Sequence, residues 1–119
     1  MKILHTADWH LGTFRSPVKD GVNLRTEDTK RCLDELIRVA NEEKPDYSLV
    51  SGDIFHVGRL WSDRCCEEII TAIHYIRELA AVSKQVVVMR GTPNHDGSGQ
   101  FNVLSEMFAD VANVHVVIT

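Results

Sequence analysis

Asp8 and His10 in TADWH, Asp53 in SGDIF, and Asn94 and His95 in PNHD are the residues whose types and spacing could do chemistry together. Asp8 and His10 are two positions apart, so they share a face if the strand before them continues. A carboxylate oxygen beside an imidazole nitrogen suits manganese, iron or zinc better than calcium. Asp53 is a candidate bridge, because one carboxylate can hold two cations ~3.5–4 Å apart, the separation used in two-metal catalysis. Gly52 before it lets backbone and cation approach with no Cβ in the way. Asn94 offers a neutral carbonyl oxygen, which adds no negative charge where a phosphate must bind. His95 could give a hydrogen bond or a proton to a departing oxygen, with Asp96 orienting its ring. Each piece alone has a plainer reading: Asp8 as a loop cap beside a half-buried His10, and Gly52-Asp53 as an Asx turn.

The elements that must position these residues follow from the apolar pattern. Residues 2–7 (KILHTA) form a short buried-strand run that turns polar at Asp8. Residues 9–25, with Gly12, Pro17, Gly21 and Asn23, show little periodicity and read as a long loop, of a length that is often functional. Thr26 can cap a helix in which Leu33, Leu36, Ile37 and Ala40 recur at helical spacing to about residue 43, before Pro45. A second strand spans 47–51 and delivers Gly52 and Asp53. Ser62 is the expected cap of a second helix, with Cys66, Ile69, Ile70, Ile73, Ile76 and Ala80 on its buried face. A third strand at 85–89 ends at Gly91. Val103, Leu104, Met107 and Phe108 suggest a third helix, and 114–118 a fourth strand. The order β-α-β-α-β-α-β predicts an α/β layered fold with a largely parallel sheet flanked by helices, its central strands covered on both faces. In such a sheet, ligands sit beyond the carboxyl ends of the strands, where all three motifs fall.

The 119 residues allow one core and not two confident domains. Thirteen Lys and Arg against 17 Asp and Glu give a formal charge of −4, so general attraction to nucleic acid or an anionic membrane is not evident. A metal centre would supply positive charge that such a count misses. No segment approaches the ~20 apolar residues of a membrane span, and a cytoplasmic location is the expectation. Cys32, Cys65 and Cys66 have no CxxC spacing and read as buried reduced thiols. Ser51 lacks a G-x-S-x-G elbow, and residues 91–93 lack the GK[ST] of a P-loop.

HTADWHLG, VSGDIFH and NHD, in this order, resemble the calcineurin-like metallophosphoesterase superfamily, and within it the nuclease subunit of a double-strand-break repair complex. Leu11-Gly12 and Phe55-His56 carry the narrower likeness. The resemblance implies two divalent metal ions, most readily Mn2+, with Asp8 and His10 on the first, Asp53 between both and Asn94 on the second. It implies that His95 assists the leaving group and that His56 stands close by without being a primary ligand. It further implies a DNA substrate, an ATPase partner subunit and a nuclease homodimer.

Two departures qualify that expectation. Pro93 stands before Asn94 where the superfamily usually has glycine, and Gly91 comes earlier. The family also completes its centre with histidines from later strands, including an HxH pair, which His5, His74 and His115 do not reproduce. Residues 1–119 are therefore expected to be the N-terminal portion of a metallophosphoesterase domain, truncated and weakly active or inactive alone. The expected function is metal-dependent hydrolysis of DNA phosphodiesters. The alternatives are a phosphoesterase for small phosphodiesters, nucleotides or phosphoproteins, and a non-catalytic interaction domain with a vestigial metal edge.

Overall fold

The computed structural model describes residues 1–12, 18–19, 22–56 and 63–118. Four strands, β1 (Ile3–Thr6), β4 (Tyr47–Ser51), β5 (Gln85–Met89) and β6 (Val114–Val117), pair in that order into one parallel sheet. Between them run α1 (Leu24–Glu43), α2 (Asp63–Val82) and α3 (Ser98–Met107). Two short strands, β2 (Val18–Lys19) and β3 (Val22–Asn23), pair antiparallel within the stretch expected to be loop. Two-residue strands carry too little periodicity to be read from sequence. Helix α1 starts at Leu24, so Thr26 lies inside its first turn and is not its cap. It ends where Lys44 takes a left-handed φ of 47° and Pro45 follows. Ser62 and the side chains of Cys65 and Cys66 lie outside the described part of the chain.

The strands follow one another across the sheet in a single direction. With right-handed crossovers, that order puts every helix on the same face. Burial agrees. Ser48, Val50, Val86, Val88 and Val114 are buried beneath the helices, and Leu4, Thr6 and Val116 share their side of the sheet. The alternate residues Ile3, His5, Tyr47, Leu49, Ser51, Gln85, Val87, Met89 and His115 line an opposite face that no described element covers. Among the described residues, the cover expected on both faces of the central strands is seen on the helix side.

Helix α2 packs between α1 and α3, and Ile37, Ala72, Ile76, Leu79, Phe101 and Leu104 form the core with the inner sheet face. Ile70 departs from its expected place. It is 65% exposed, because Ile69, Ile73 and Ile76 already fill the stripe that meets the sheet. Met107 is likewise exposed while Leu104 and Phe108 point inward. Cys32 is exposed on α1, against the expected burial. No described helix is long and apolar enough to cross a membrane.

Candidate metal centre

The site begins where β1 and β4 stop pairing as strands but continue side by side. Asp8 N donates to Gly52 O at 3.1 Å, His10 N to Asp53 O at 3.1 Å and Leu11 N to Ile54 O at 2.8 Å. His56 N then donates to Leu11 O at 2.8 Å, closing a parallel bridge between Leu11 and Phe55. Along this zipper Asp8, His10 and Asp53 take φ values of 56°, 49° and 50°, and Gly52 takes 88°. Left-handed backbone is costly for side chains with a Cβ, and it clusters where a site is built. The reason Asp8 and His10 meet is therefore not a continued strand. Trp9 is buried between them, its indole N–H donating to Thr6 Oγ1 at 2.8 Å and its ring edge-on to Tyr75. With Trp9 held inside, Asp8 Oδ1 and His10 Nε2 come within 3.7 Å on the outside.

The exit of β5 closes on this pair through glycine. A Cβ on Gly91 would lie 2.3 Å from both the Asp53 nitrogen and its Oδ1, and one on Gly52 would lie 2.7 Å from Gly91 Cα. Backbone thus packs on backbone, which only glycine permits here. Asp53 Oδ1 accepts from Thr92 N at 2.9 Å and from Thr92 Oγ1 at 3.1 Å. These bonds, with His95 and His10 nearby, hold the Asp53 carboxyl below its usual range despite some burial, so it is ionised at neutral pH. A ligand atom each from Asp8, His10 and Asp53 lies within 4.8 Å of the others, a set suited to a divalent cation.

His95 and His56 stand beside that set. The His10 and His95 ring centroids are 4.6 Å apart, and His56 lies 6.1 Å and 6.0 Å from them. His95 Nδ1 lies 2.7 Å from the His56 carbonyl oxygen, which can only accept, so Nδ1 carries the proton and Nε2 faces elsewhere. Burial, then His10, His95 and Arg25, push the His56 imidazole below its usual value. Asn94 is exposed in the turn between Thr92 and His95, a turn closed by His95 N and Asp96 N donating to Thr92 O. Pro93 is accommodated there, and Thr92 and His95, on either side of Asn94, both touch the site.

Asp96 does something other than orient His95. It is fully buried, with Oδ1 accepting from Phe55 N at 3.0 Å and Oδ2 from Gly91 N at 2.7 Å. It ties the exit of β4 to the exit of β5, and Arg90 Nε returns to its carbonyl at 2.8 Å. Neither this role nor that of Thr92 was read from the sequence. A lone acid ahead of the apolar run of α3 was the available signal, since such an acid must find backbone donors once buried. The remaining histidines lie away from the centre. His5 Nε2 pairs with Ser51 Oγ at 2.8 Å, His115 Nε2 with Gln85 Oε1 at 2.7 Å, and His74 with Glu78 at 3.0 Å. A cavity of about 470 Å³ between β1 and α1 is lined by Asp8 with apolar residues such as Leu4, Trp9 and Leu36, and includes neither His10 nor Asp53.

Comparison with known proteins places the chain in a family. The family described as calcineurin-like phosphoesterase matches residues 1–117. The chain is similar to a subunit of the nuclease SbcCD from Staphylococcus epidermidis, at 30% identity over 108 residues, and to its counterpart from Staphylococcus saprophyticus, at 31% over 108 residues. Each match covers 91% of this chain and 26% of the relative, so the chain spans about a quarter of the length of these curated relatives.

Proposed function

The chain belongs to the calcineurin-like phosphoesterase family, and from that premise we propose that it forms the metal-binding part of a phosphodiesterase acting on DNA. The observation that carries the reading is the meeting of Asp8, His10 and Asp53, from two different strand exits, with ligand atoms inside 4.8 Å. Asp8, His10 and Asp53 would hold a first divalent cation, and Asp53 with Asn94 a second. Manganese fits the mixture of carboxylate, amide and imidazole donors. Such cations, when bound, supply Lewis acidity toward the phosphodiester and lower the pKa of a water.

The chain's own residues do the rest. Thr92 keeps Asp53 ionised and fixed in orientation through its two bonds to Oδ1. His95, its ring held through Nδ1 by the His56 carbonyl, would act through Nε2 on the departing oxygen. His56 supports that ring through its backbone, and its own imidazole stands close to both His10 and His95. The relatives are named as one subunit of a nuclease. The reading therefore extends to a partner subunit, an ATPase by the resemblance drawn from the sequence, and to a second nuclease copy.

Manganese-dependent hydrolysis of linear DNA and of an aryl phosphodiester, measured for the chain and for Asp53→Ala, tests the assignment. Because the chain alone is expected to be weakly active or inactive, manganese binding by calorimetry accompanies the assay. Binding is expected to be lost in the variant, and any metal-dependent turnover to drop by about 100-fold or more if Asp53 holds the cations. Turnover that survives the substitution would remove Asp53 from the centre. Hydrolysis of the aryl ester without DNA would move the reading to a small-phosphodiester enzyme.

A further inference from the structure

His10, His56 and His95 leave three different strand exits, after β1, β4 and β5, yet one ring nitrogen from each lies within 4.8 Å of the other two. All three rings are partly buried. This donor set differs in kind from the one around Asp53: it contains no carboxylate. Three neutral imidazoles around an open fourth position match four-coordinate zinc, and nitrogen-only sets favour zinc over manganese by the usual affinity order.

The geometry needs little adjustment. Zinc–nitrogen bonds of about 2.0–2.1 Å place tetrahedral ligand atoms about 3.3–3.4 Å apart. Three atoms already inside 4.8 Å reach that spacing if each moves by less than about 1 Å. His95 is also set up as a ligand. Its Nδ1–H is engaged by the His56 carbonyl at 2.7 Å, the outer hydrogen bond that metal-binding histidines commonly make, and this leaves a lone pair on Nε2.

We propose that His10, His56 and His95 form a second cation site that takes zinc with a water in its fourth position, and that this site competes with the Asp8 and Asp53 set for His10. One imidazole serves both sets, so zinc among the histidines withdraws a ligand from the carboxylate centre. Zinc then acts as an antagonist of manganese. The trihistidine site rests on ring positions and the His95–His56 hydrogen bond and holds whether or not the chain hydrolyses DNA, while the competition rests on the proposed carboxylate centre.

Cobalt(II), whose visible absorption is intense in four-coordinate and weak in six-coordinate sites, provides the test with the full chain. One equivalent of cobalt is expected to give the intense bands, one equivalent of zinc to abolish them, and zinc to release manganese as followed by its solution EPR signal. His56→Gln is expected to lose the bands and bind zinc about tenfold or more weakly. Asp8→Asn should keep the bands and change zinc affinity by no more than about threefold, the effect of removing one nearby exposed charge. Far-UV circular dichroism checks both folds, and His95→Gln replaces His56→Gln if the latter loses its helical signal. Bands that persist without His56 and without His95, or that vanish in folded Asp8→Asn, would overturn the trihistidine site. Zinc and manganese bound together at full occupancy would overturn the competition for His10.

Discussion

Strand β4 is bracketed by two aspartates, Asp46 before Tyr47 and Asp53 after Ser51, and their surroundings differ in kind. At the amino end, Asp46 accepts from Lys2 N at 2.8 Å and pairs with Lys84 Nζ at 3.0 Å, while Lys2 Nζ pairs with Glu43 at 2.9 Å. Those contacts hold the carboxyls of Asp46 and Glu43 below their usual range. At the carboxyl end, Asp53 is met by Thr92 and by the imidazoles of His10 and His95, and Asp8 by His10. One end neutralises its acids with fixed lysines. The other holds them with backbone and hydroxyl donors and with imidazole rings, a donor set that could take a cation. The lesson is that a formal charge of −4 says little about chemistry until the acids are sorted by what faces them.

The contrast breaks most easily at Gly91. Gly91→Ala places a methyl 2.3 Å from the Asp53 nitrogen and Oδ1, so a loss of about 3 kcal/mol in urea unfolding is expected, at the upper end for overpacking. Manganese binding should fall with it. Retained affinity in calorimetry would show that the close approach of the two exits is not what forms the site. Next comes Asp96→Ala, which strips one buried and one part-buried backbone donor, Phe55 N and Gly91 N, of their acceptor. A loss of about 2 kcal/mol is expected by the same measurement.

The acids should also respond to pH with opposite signs. Glu68 lines the small pocket beside Leu11 and Gly12, and burial, with Glu67 adjacent, pushes its carboxyl up to about 7 from 4.5. The unfolded chain releases this proton near 4.5, so between there and about 7 the folded state holds more protons and stability falls as pH rises. Glu68→Gln is expected to stabilise the chain at pH 8 by about 1 kcal/mol, discounted for partial exposure, and to have no such effect at pH 4. For Asp46 the sign reverses. Its depressed value contributes stability above the usual carboxylate range, lost as the pH falls through the folded value. The smallest effect belongs to Asp46→Asn: a slight drop in melting temperature, suppressed by salt, with manganese affinity unchanged. A drop in manganese affinity there would erase the distinction between the two ends.

Much of the scaffold was legible. The bounds of β4 and β5 coincide with apolar runs set off by Pro45 and Gly91, and α1 and α2 follow helical periodicity. The pairing of β2 and β3 was not legible, because two residues per strand make no pattern. The exposure of Ile70 was missed because periodicity shows that a stripe exists and not which edge of it meets the sheet. Within the site, Asp8, His10, Asp53, Asn94 and His95 could be singled out by type and spacing. The reason Asp8 and His10 meet, and the partner of Asp96, could not.

What the sequence determined by itself is local: where strands end, which donors stand at those ends, and that glycines accompany them. Periodicity and donor chemistry are properties of neighbouring residues, so they survive without a fold. The tertiary structure decided which atoms meet. Parallel pairing of the β1 and β4 exits sets Asp8 against Gly52 and His10 against Asp53. The absent Cβ at Gly91 lets a third exit close on them. Register across strands separated by helices depends on the packing of the whole core, which is why the three histidines form a set in space that no stretch of sequence displays.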